Sequence, residues 1–176
     1  MEANRAAFAA MGVEADAEAD SSTGPEIDAC ENFPTWEVSI TADSREGLGV
    51  GDSVEFSKTI SDADVRRFAA SSGDTNPLHL DDEFAETTRF GGRIAHGTLV
   101  GGLISAALAR LPGLTIYLSQ DLEFHAPVRI GDRATADCEI VEDLGHDQYR
   151  LTTTVAVEDE VVIDGEAVVL VDELPA

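Results

Sequence analysis

The sequence predicts an α+β fold in which an antiparallel sheet wraps against one long helix. Two observations carry this prediction. His96–Arg110 is a segment whose residues between its two ends are all apolar or small, and Pro112 and Gly113 terminate it. Four segments rich in β-branched and aromatic residues follow it, joined by short turns, as in an antiparallel meander. The length of 176 residues suits one domain.

Residues 1–46 differ from the rest. We interpret them as an acidic, at least partly disordered N-terminal extension to a folded domain over residues 47–176. Glu14–Pro25 is mostly Ala, Asp, Glu and Ser without apolar periodicity, which is typical of a solvated tail. Phe33–Ile40 has strand character, so it is either an extra strand or a docking segment.

The domain opens with a weakly alternating segment, Asp52–Ile60, that predicts a strand. Ser61 followed by Asp64 is a capping arrangement, and Gly73 is a natural terminator, so a helix is predicted between them.

Proline and glycine divide the middle of the chain. Asp74–His79 is predicted to be a loop because Pro77 keeps Asn76 out of the helical region. Asp81–Thr88 is predicted to be a short helix, and His96–Arg110 a helix buried on every face. The later strands are predicted at Leu114–His125, Arg133–Glu142, Tyr149–Val157 and Val161–Val171.

The composition argues against several functions. The net charge is −24, with 35 acidic and 11 basic side chains, and no basic patch could follow a nucleic-acid backbone. No apolar run is long enough to span a bilayer and no signal pattern opens the chain, so we expect no membrane partner and a cytoplasmic location. Cys30 and Cys138 fit neither a disulfide framework nor a zinc site.

The acidity also predicts a halophilic protein. Acidic side chains occur in predicted strands, turns and loops alike, and Lys58 is the only lysine. In molar salt the screening length falls to about 3 Å, so a carboxylate-rich surface repels itself little.

Asp74 and His79 are candidates for general acid–base catalysis. A carboxylate and an imidazole on one stiff loop can converge on a single water molecule, one accepting a proton and the other supplying one. Such pairs also arise by chance, and Asp74 could instead be a helix-end or turn residue. Gly97, at the start of the long helix, could receive a carbonyl oxygen at its free N–H, or could simply permit tight packing.

Phe68–Leu108 resembles the hydratase-2 motif of (R)-specific enoyl-CoA hydratases, the MaoC-like dehydratases. Leu111–Asp132 resembles the strand that follows in the same family. The resemblance lies in D-x-N-P-x-H, a downstream A-H-G, and Y-L-x-Q-x-L-x-F with P-V-x-x-G-D, and it covers about Val54 to Val171.

The resemblance implies a hot-dog fold, a curved antiparallel sheet around one long central helix. It implies reversible addition of water across the C2=C3 bond of a trans-2-enoyl-CoA to give an (R)-3-hydroxyacyl-CoA. It makes Asp74 and His79 the pair that holds the water, and the Gly97 N–H the donor to the thioester oxygen. The expected enzyme is a hydro-lyase and a homodimer that needs no metal or redox cofactor.

The resemblance also suggests supporting residues. Asn76 would help to fix the shape of the catalytic loop or the orientation of the Asp74–His79 pair. His96, from its place before the long helix, is expected to shape the helix entry rather than to act in catalysis. Ser105 would support the loop by hydrogen bonding, or would be only a small helix-packing residue. The acyl-chain length is left open, with short chains of polyhydroxyalkanoate or β-oxidation chemistry among the possibilities.

Two alternative functions remain. A hot-dog acyl-CoA thioesterase would often carry an acidic residue on the central helix, and Thr98–Arg110 contains none. A catalytically silent acyl-CoA-binding module is disfavoured because Asp74 and His79 are both present.

Overall fold

The computed structural model describes residues 36–175. These form one six-stranded antiparallel sheet with the order β1-β2-β4-β5-β6-β3. The strands are β1 (Glu37–Ile40), β2 (Ser53–Thr59), β3 (Leu114–Phe124), β4 (Arg133–Gly145), β5 (Gln148–Val157) and β6 (Glu160–Asp172). The helices are α1 (Asp62–Ser72), α2 (Pro77–Leu80), α3 (Asp82–Glu86) and α4 (Gly97–Leu108), and a 3₁₀ turn covers Arg45–Gly47. Within this range, no helix is long and apolar enough to cross a membrane.

The core lies between α4 and the sheet, so the predicted α+β arrangement is confirmed. α4 contacts β2, β3, β4 and β5. Residues of β4 alternate between buried and less buried positions, as expected when one face of a sheet packs against a helix. The α4 side of this core consists of Val100, Leu103, Ile104, Ala107 and Leu108.

The prediction that α4 is buried on every face is wrong for the single chain. Gly97, Thr98, Gly102 and Ser105 are all exposed. The sheet covers only one side of the helix, and the opposite side carries glycine and small polar residues that leave little apolar surface uncovered. A helix with apolar and small residues all round can therefore still have an open face.

The ordered sheet begins before Gly47, inside the region interpreted as the extension. All four residues of β1 pair with β2. The Arg45 side chain donates to the Val171 carbonyl oxygen at 3.0 Å and forms an ion pair with Asp147 at 3.0 Å. The strand predicted within Phe33–Ile40 is thus present at β1, whereas the disorder predicted for Glu14–Pro25 falls outside the described residues.

The start of α1 confirms the predicted cap. Ser61 Oγ accepts from the Asp64 N–H, and the Asp64 carboxylate accepts from the Ser61 N–H, which is a complete capping box. Lys58 Nζ donates to Asp64 Oδ1 at 2.7 Å. Burial raises the pKa of the Asp64 carboxyl, but the bonds from Lys58 and Ser61 outweigh it and hold the pKa below its ordinary value. Gly73 ends the helix at φ 80°.

The described cysteine, Cys138, is a buried thiol on β4. Burial, with the nearby Asp137 carboxylate, raises its pKa to about 12. Cys138 is thus a small core residue, because only the thiolate is a good nucleophile or metal ligand.

Candidate active site

The segment that joins α1 to α2 is held by its own polar groups. The Asp74 N–H donates to Ser72 Oγ, and the Asn76 N–H donates to Asp74 Oδ1 at 3.3 Å. Asn76 Oδ1 then accepts from the Leu78 N–H at 3.0 Å, which makes Asn76 the N-cap of α2. The expected role of Asn76 in shaping this segment therefore has a geometric basis.

The prediction of a loop over the whole of Asp74–His79 is wrong at its C-terminal end. Pro77 is the first residue of α2, a single helical turn that contains His79. The proline keeps Asn76 non-helical, as predicted, but its own fixed φ suits the first position of a helix. His79 is consequently carried on a capped turn.

His79 is buried, and its ring orientation is set by one hydrogen bond. Its Nδ1 lies 2.9 Å from the Ile94 carbonyl oxygen. Because a carbonyl oxygen only accepts, Nδ1 must carry the proton and donate it. This leaves Nε2 available to the site, as an acceptor when the ring is neutral.

His96 connects the separate parts of the site. It is 1% exposed, and its Nε2–H donates to the Asp74 carbonyl oxygen at 3.0 Å. Its ring centroid lies 3.9 Å from that of His79 and 4.9 Å from that of Phe68. The N-terminal residue of α4 follows it directly. One buried side chain thus touches the Asp74 backbone, the His79 ring and the head of the central helix.

Asp74, His79 and His96 form one compact cluster. One ligand-type atom from each lies within 4.8 Å of the others, with Asp74 exposed and both histidines buried. An exposed carboxylate beside a buried imidazole can hold and deprotonate a water molecule. The same three side chains could hold a divalent cation, as could the exposed set of Glu123, His125 and Asp164.

Gly97 begins α4, so its N–H and those of the next two residues lack intrahelical acceptors. The Phe124 ring packs directly on it, and a Cβ at this position would lie 2.7 Å from Phe124 Cε1. Gly97, Phe124 and Ile94 also line an apolar pocket of about 280 Å³. The glycine therefore allows close packing and also leaves a helix N-terminus beside a pocket, so both interpretations of Gly97 have support.

Ser105 is not brought to this cluster. It is exposed on α4, and its Oγ makes no hydrogen bond to any residue in the range 36–175. Two other histidines also lie elsewhere. His125 Nε2–H donates to Asp164 Oδ1 at 2.7 Å on the surface, and His146 lies in the β4–β5 turn at φ 56°.

A family model described as a MaoC-like domain matches residues 48–162, which contain the whole cluster. The chain belongs to the MaoC-like family.

Curated relatives of this MaoC-like protein include the 3-hydroxybutyryl-CoA dehydratase of Methylorubrum extorquens. It is 50% identical, and the match covers 72% of this chain and 82% of the relative. The (R)-specific enoyl-CoA hydratase of Rhodospirillum rubrum is 48% identical over 72% of this chain and 90% of its own. A solved R-hydratase of Pseudomonas aeruginosa superposes with a TM-score of 0.70 at 40% identity, over 80% and 90% of the two chains. These similarities confirm the predicted hot-dog fold.

The sequence did not reveal how far His96 reaches. His96 contacts His79, which lies 17 positions earlier in the chain, and Asp74, which lies 22 positions earlier. No rule based on local spacing detects pairs this far apart. One signal was available for the neighbouring helix turn, because Asn76 followed by Pro77 is a typical N-cap and first helical residue.

Proposed function

We propose that this MaoC-like protein is an (R)-specific enoyl-CoA hydratase, a hydro-lyase that adds water reversibly to a trans-2-enoyl-CoA. The single observation that carries the proposal is the compact Asp74–His79–His96 cluster, next to the free N-terminus of α4 at Gly97. The names of the relatives, which include an enoyl-CoA hydratase and a 3-hydroxybutyryl-CoA dehydratase, support the same reaction in its two directions.

The proposed reaction begins with one water molecule between Asp74 and His79. Neutral His79 accepts at Nε2 because Nδ1 donates to the Ile94 carbonyl. The Asp74 carboxylate is the second acceptor, so both water protons are bound and an oxygen lone pair points at C3. One proton passes to this pair as the C3–O bond forms, and the pair delivers one proton to C2. The substrate thus gains one water, and both side chains return to their starting states.

The thioester oxygen accumulates negative charge while C3 is attacked. The Gly97 N–H and the head of α4 would donate to this oxygen, and the helix dipole favours negative charge there. Glycine lets the thioester approach the backbone closely. In this scheme no metal or redox cofactor is required, and the coenzyme A is part of the substrate.

The test uses crotonyl-CoA and follows loss of the enoyl ultraviolet absorbance, with the configuration of the 3-hydroxybutyryl product determined separately. Asp74→Asn and His79→Ala should each lower kcat by at least roughly 10²-fold while the fold is retained. Asp81→Asn, which alters an exposed helix cap close by, is the matched control and should lower kcat by less than twofold or so. Near-wild-type activity in either site variant would contradict the assignment.

The same measurements separate the alternative functions. A thioesterase would release free CoA thiol from crotonyl-CoA, and a silent module would bind the thioester without changing it. No acidic residue occurs in α4, which disfavours the thioesterase. A substrate panel of linear, branched and dicarboxylic enoyl-CoA thioesters would then determine the acyl preference. Short linear substrates, as in polyhydroxyalkanoate or β-oxidation chemistry, are our first expectation.

We also propose that the protein forms a homodimer. β3 is an edge strand of the sheet, and one of its sides has no strand partner within residues 36–175. Leu114, Tyr117, Leu118 and Phe124 on β3 are exposed large apolar or aromatic residues. A long edge of this kind is normally covered. Sedimentation in molar KCl should give the mass of a dimer, and a monomer would contradict the proposal.

A further inference from the structure

The cationic side chains of this protein differ in whether carboxylates neutralise them. With a net charge of −24, most described cations have acidic partners. Those in ion pairs are Arg45, Lys58, Arg66, Arg93, Arg133 and Arg150. The described arginines without such a partner are Arg67, Arg89, Arg110 and Arg129. Arg110 serves the fold, because its guanidinium lies 4.5 Å from the Phe56 ring centroid and donates to the Ala106 carbonyl.

Arg89 and Arg129 lie together around Phe90. The Arg89 guanidinium carbon is 4.9 Å from the Phe90 ring centroid, and Arg89 lines the apolar pocket that also includes Gly97. Arg129 Nη2 donates to the Phe90 carbonyl oxygen at 3.0 Å. Arg89 therefore lines the pocket, and Arg129 is anchored to the backbone of Phe90, another lining residue. Among the described residues, no carboxylate neutralises either guanidinium group.

Two carboxylates beside these residues bind other groups. Asp132 Oδ2 accepts from the Arg129 backbone N–H at 2.7 Å, not from the guanidinium. Asp164 accepts a hydrogen bond from the pocket residue His125. Each guanidinium has five N–H donors, and Arg129 makes one hydrogen bond with them. The remaining donors face solvent on exposed side chains.

We propose that Arg89 and Arg129 bind the phosphate groups of the coenzyme A part of the substrate. This inference rests on the proposed function. It explains how so acidic a chain retains a polyanionic thioester: two unneutralised guanidinium forks suit phosphate oxygens in charge and geometry. The apolar pocket that Arg89 and Gly97 line then takes the less polar portion of the thioester, whose carbonyl reaches the head of α4.

The experiment compares crotonyl-CoA with crotonyl-pantetheine, which has the same reacting thioester and no phosphate. The readout is the ratio of kcat/KM for the two substrates. This ratio should fall about fivefold in each of the single variants Arg89→Gln and Arg129→Gln, because KM for crotonyl-CoA rises. A change of this size is expected when a solvent-exposed charge pair is lost. Arg67→Gln is the matched control, an exposed and unpaired arginine on α1, and should leave the ratio unchanged.

Further arms separate the two kinds of phosphate and guard against trivial effects. Crotonyl-dephospho-CoA, which keeps the diphosphate and lacks the 3′-phosphate, shows which group each arginine binds. Arg89→Lys and Arg129→Lys should recover part of the ratio because they retain the charge. Calorimetric titration with CoA itself measures the same loss of affinity without any turnover.

The outcomes are distinct. An unchanged ratio in Arg89→Gln and Arg129→Gln, or an equal fall in Arg67→Gln, would overturn the phosphate proposal and leave the hydratase assignment intact. Dissociation of an oligomer by the arginine variants with no change in CoA affinity would also overturn it. Failure of the wild-type protein to hydrate either thioester would overturn the proposed function, and the CoA titration would still decide the role of the arginines.

Discussion

Replacement of His96 by phenylalanine tests whether this residue positions Asp74, the aspartate proposed above to act in catalysis. Phenylalanine keeps a ring between Phe68 and His79 but removes the Nε2–H that donates to the Asp74 carbonyl at 3.0 Å. A hydrogen bond of this kind contributes about 0.5–1.5 kcal/mol net to stability. If that energy holds the Asp74 backbone in its productive position, kcat should fall by roughly twofold to tenfold.

The assay measures steady-state hydration of crotonyl-CoA together with urea unfolding. We expect a lower kcat, little change in KM, and a loss of unfolding free energy of about 1 kcal/mol. His96→Gln is the conservative companion, because an amide nitrogen at the end of its side chain can approach the position of Nε2 and restore the donor. It should recover part of kcat. A stability loss with unaltered kcat in His96→Phe, or no recovery in His96→Gln, would refute the positioning role.

Three further predictions concern the fold and its charge. Gly165→Ala should lower the unfolding free energy, measured by urea melts, by at least about 3 kcal/mol, because a Cβ there would lie 1.9 Å from the Asp121 carbonyl oxygen of β3. Gly49→Ala is the control: a Cβ at Gly49 meets no atom within 4 Å, so its unfolding free energy should be nearly unchanged. Burial, with the Glu55 carboxylate, raises the pKa of Asp137, so deprotonation destabilises the folded state and Asp137→Asn should raise Tm at neutral pH. That gain should shrink as the pH falls and the wild-type carboxyl becomes protonated, and an equal gain at all pH values would contradict the cause. Hydratase activity should rise with added KCl because salt screens repulsion between the acidic surface and the CoA phosphates, and an optimum in dilute buffer would contradict the halophile prediction.

Much of the fold could be predicted because its signals are local. Ser61 and Asp64 mark a capping box, Gly73 supplies the left-handed residue that ends α1, and the predicted strands lie within about three residues of the observed ones. Asp74 and His79 were also predictable candidates, since their residue types and short separation are visible in the chain.

The rest depended on contacts between distant segments. The His96 ring reaches Asp74 and His79 only after α4 has docked on the sheet, and the periodicity of α4 does not say which of its faces the sheet leaves uncovered. Ser105 illustrates the same limit, because its position on the helix was predicted but its exposed side could not be. For Arg89 and Arg129, the charge was visible in the sequence, whereas their lack of acidic partners within residues 36–175 depends on how the chain folds.

The Lys58–Asp64 pair gives this protein an internal reporter of local opening. Lys58 carries the only ε-amino group in the sequence, and that group lies in a 2.7 Å ion pair with side-chain exposures of 14% and 8%. A reagent that acylates amines should therefore reach it faster whenever the junction of β2 and α1 separates. The acylation rate at Lys58, measured by mass spectrometry, would therefore report how often the N-terminal end of α1 opens. The C-terminal end of the same helix leads into Asp74. Repeating the measurement across a salt series would show whether ions hold that junction closed.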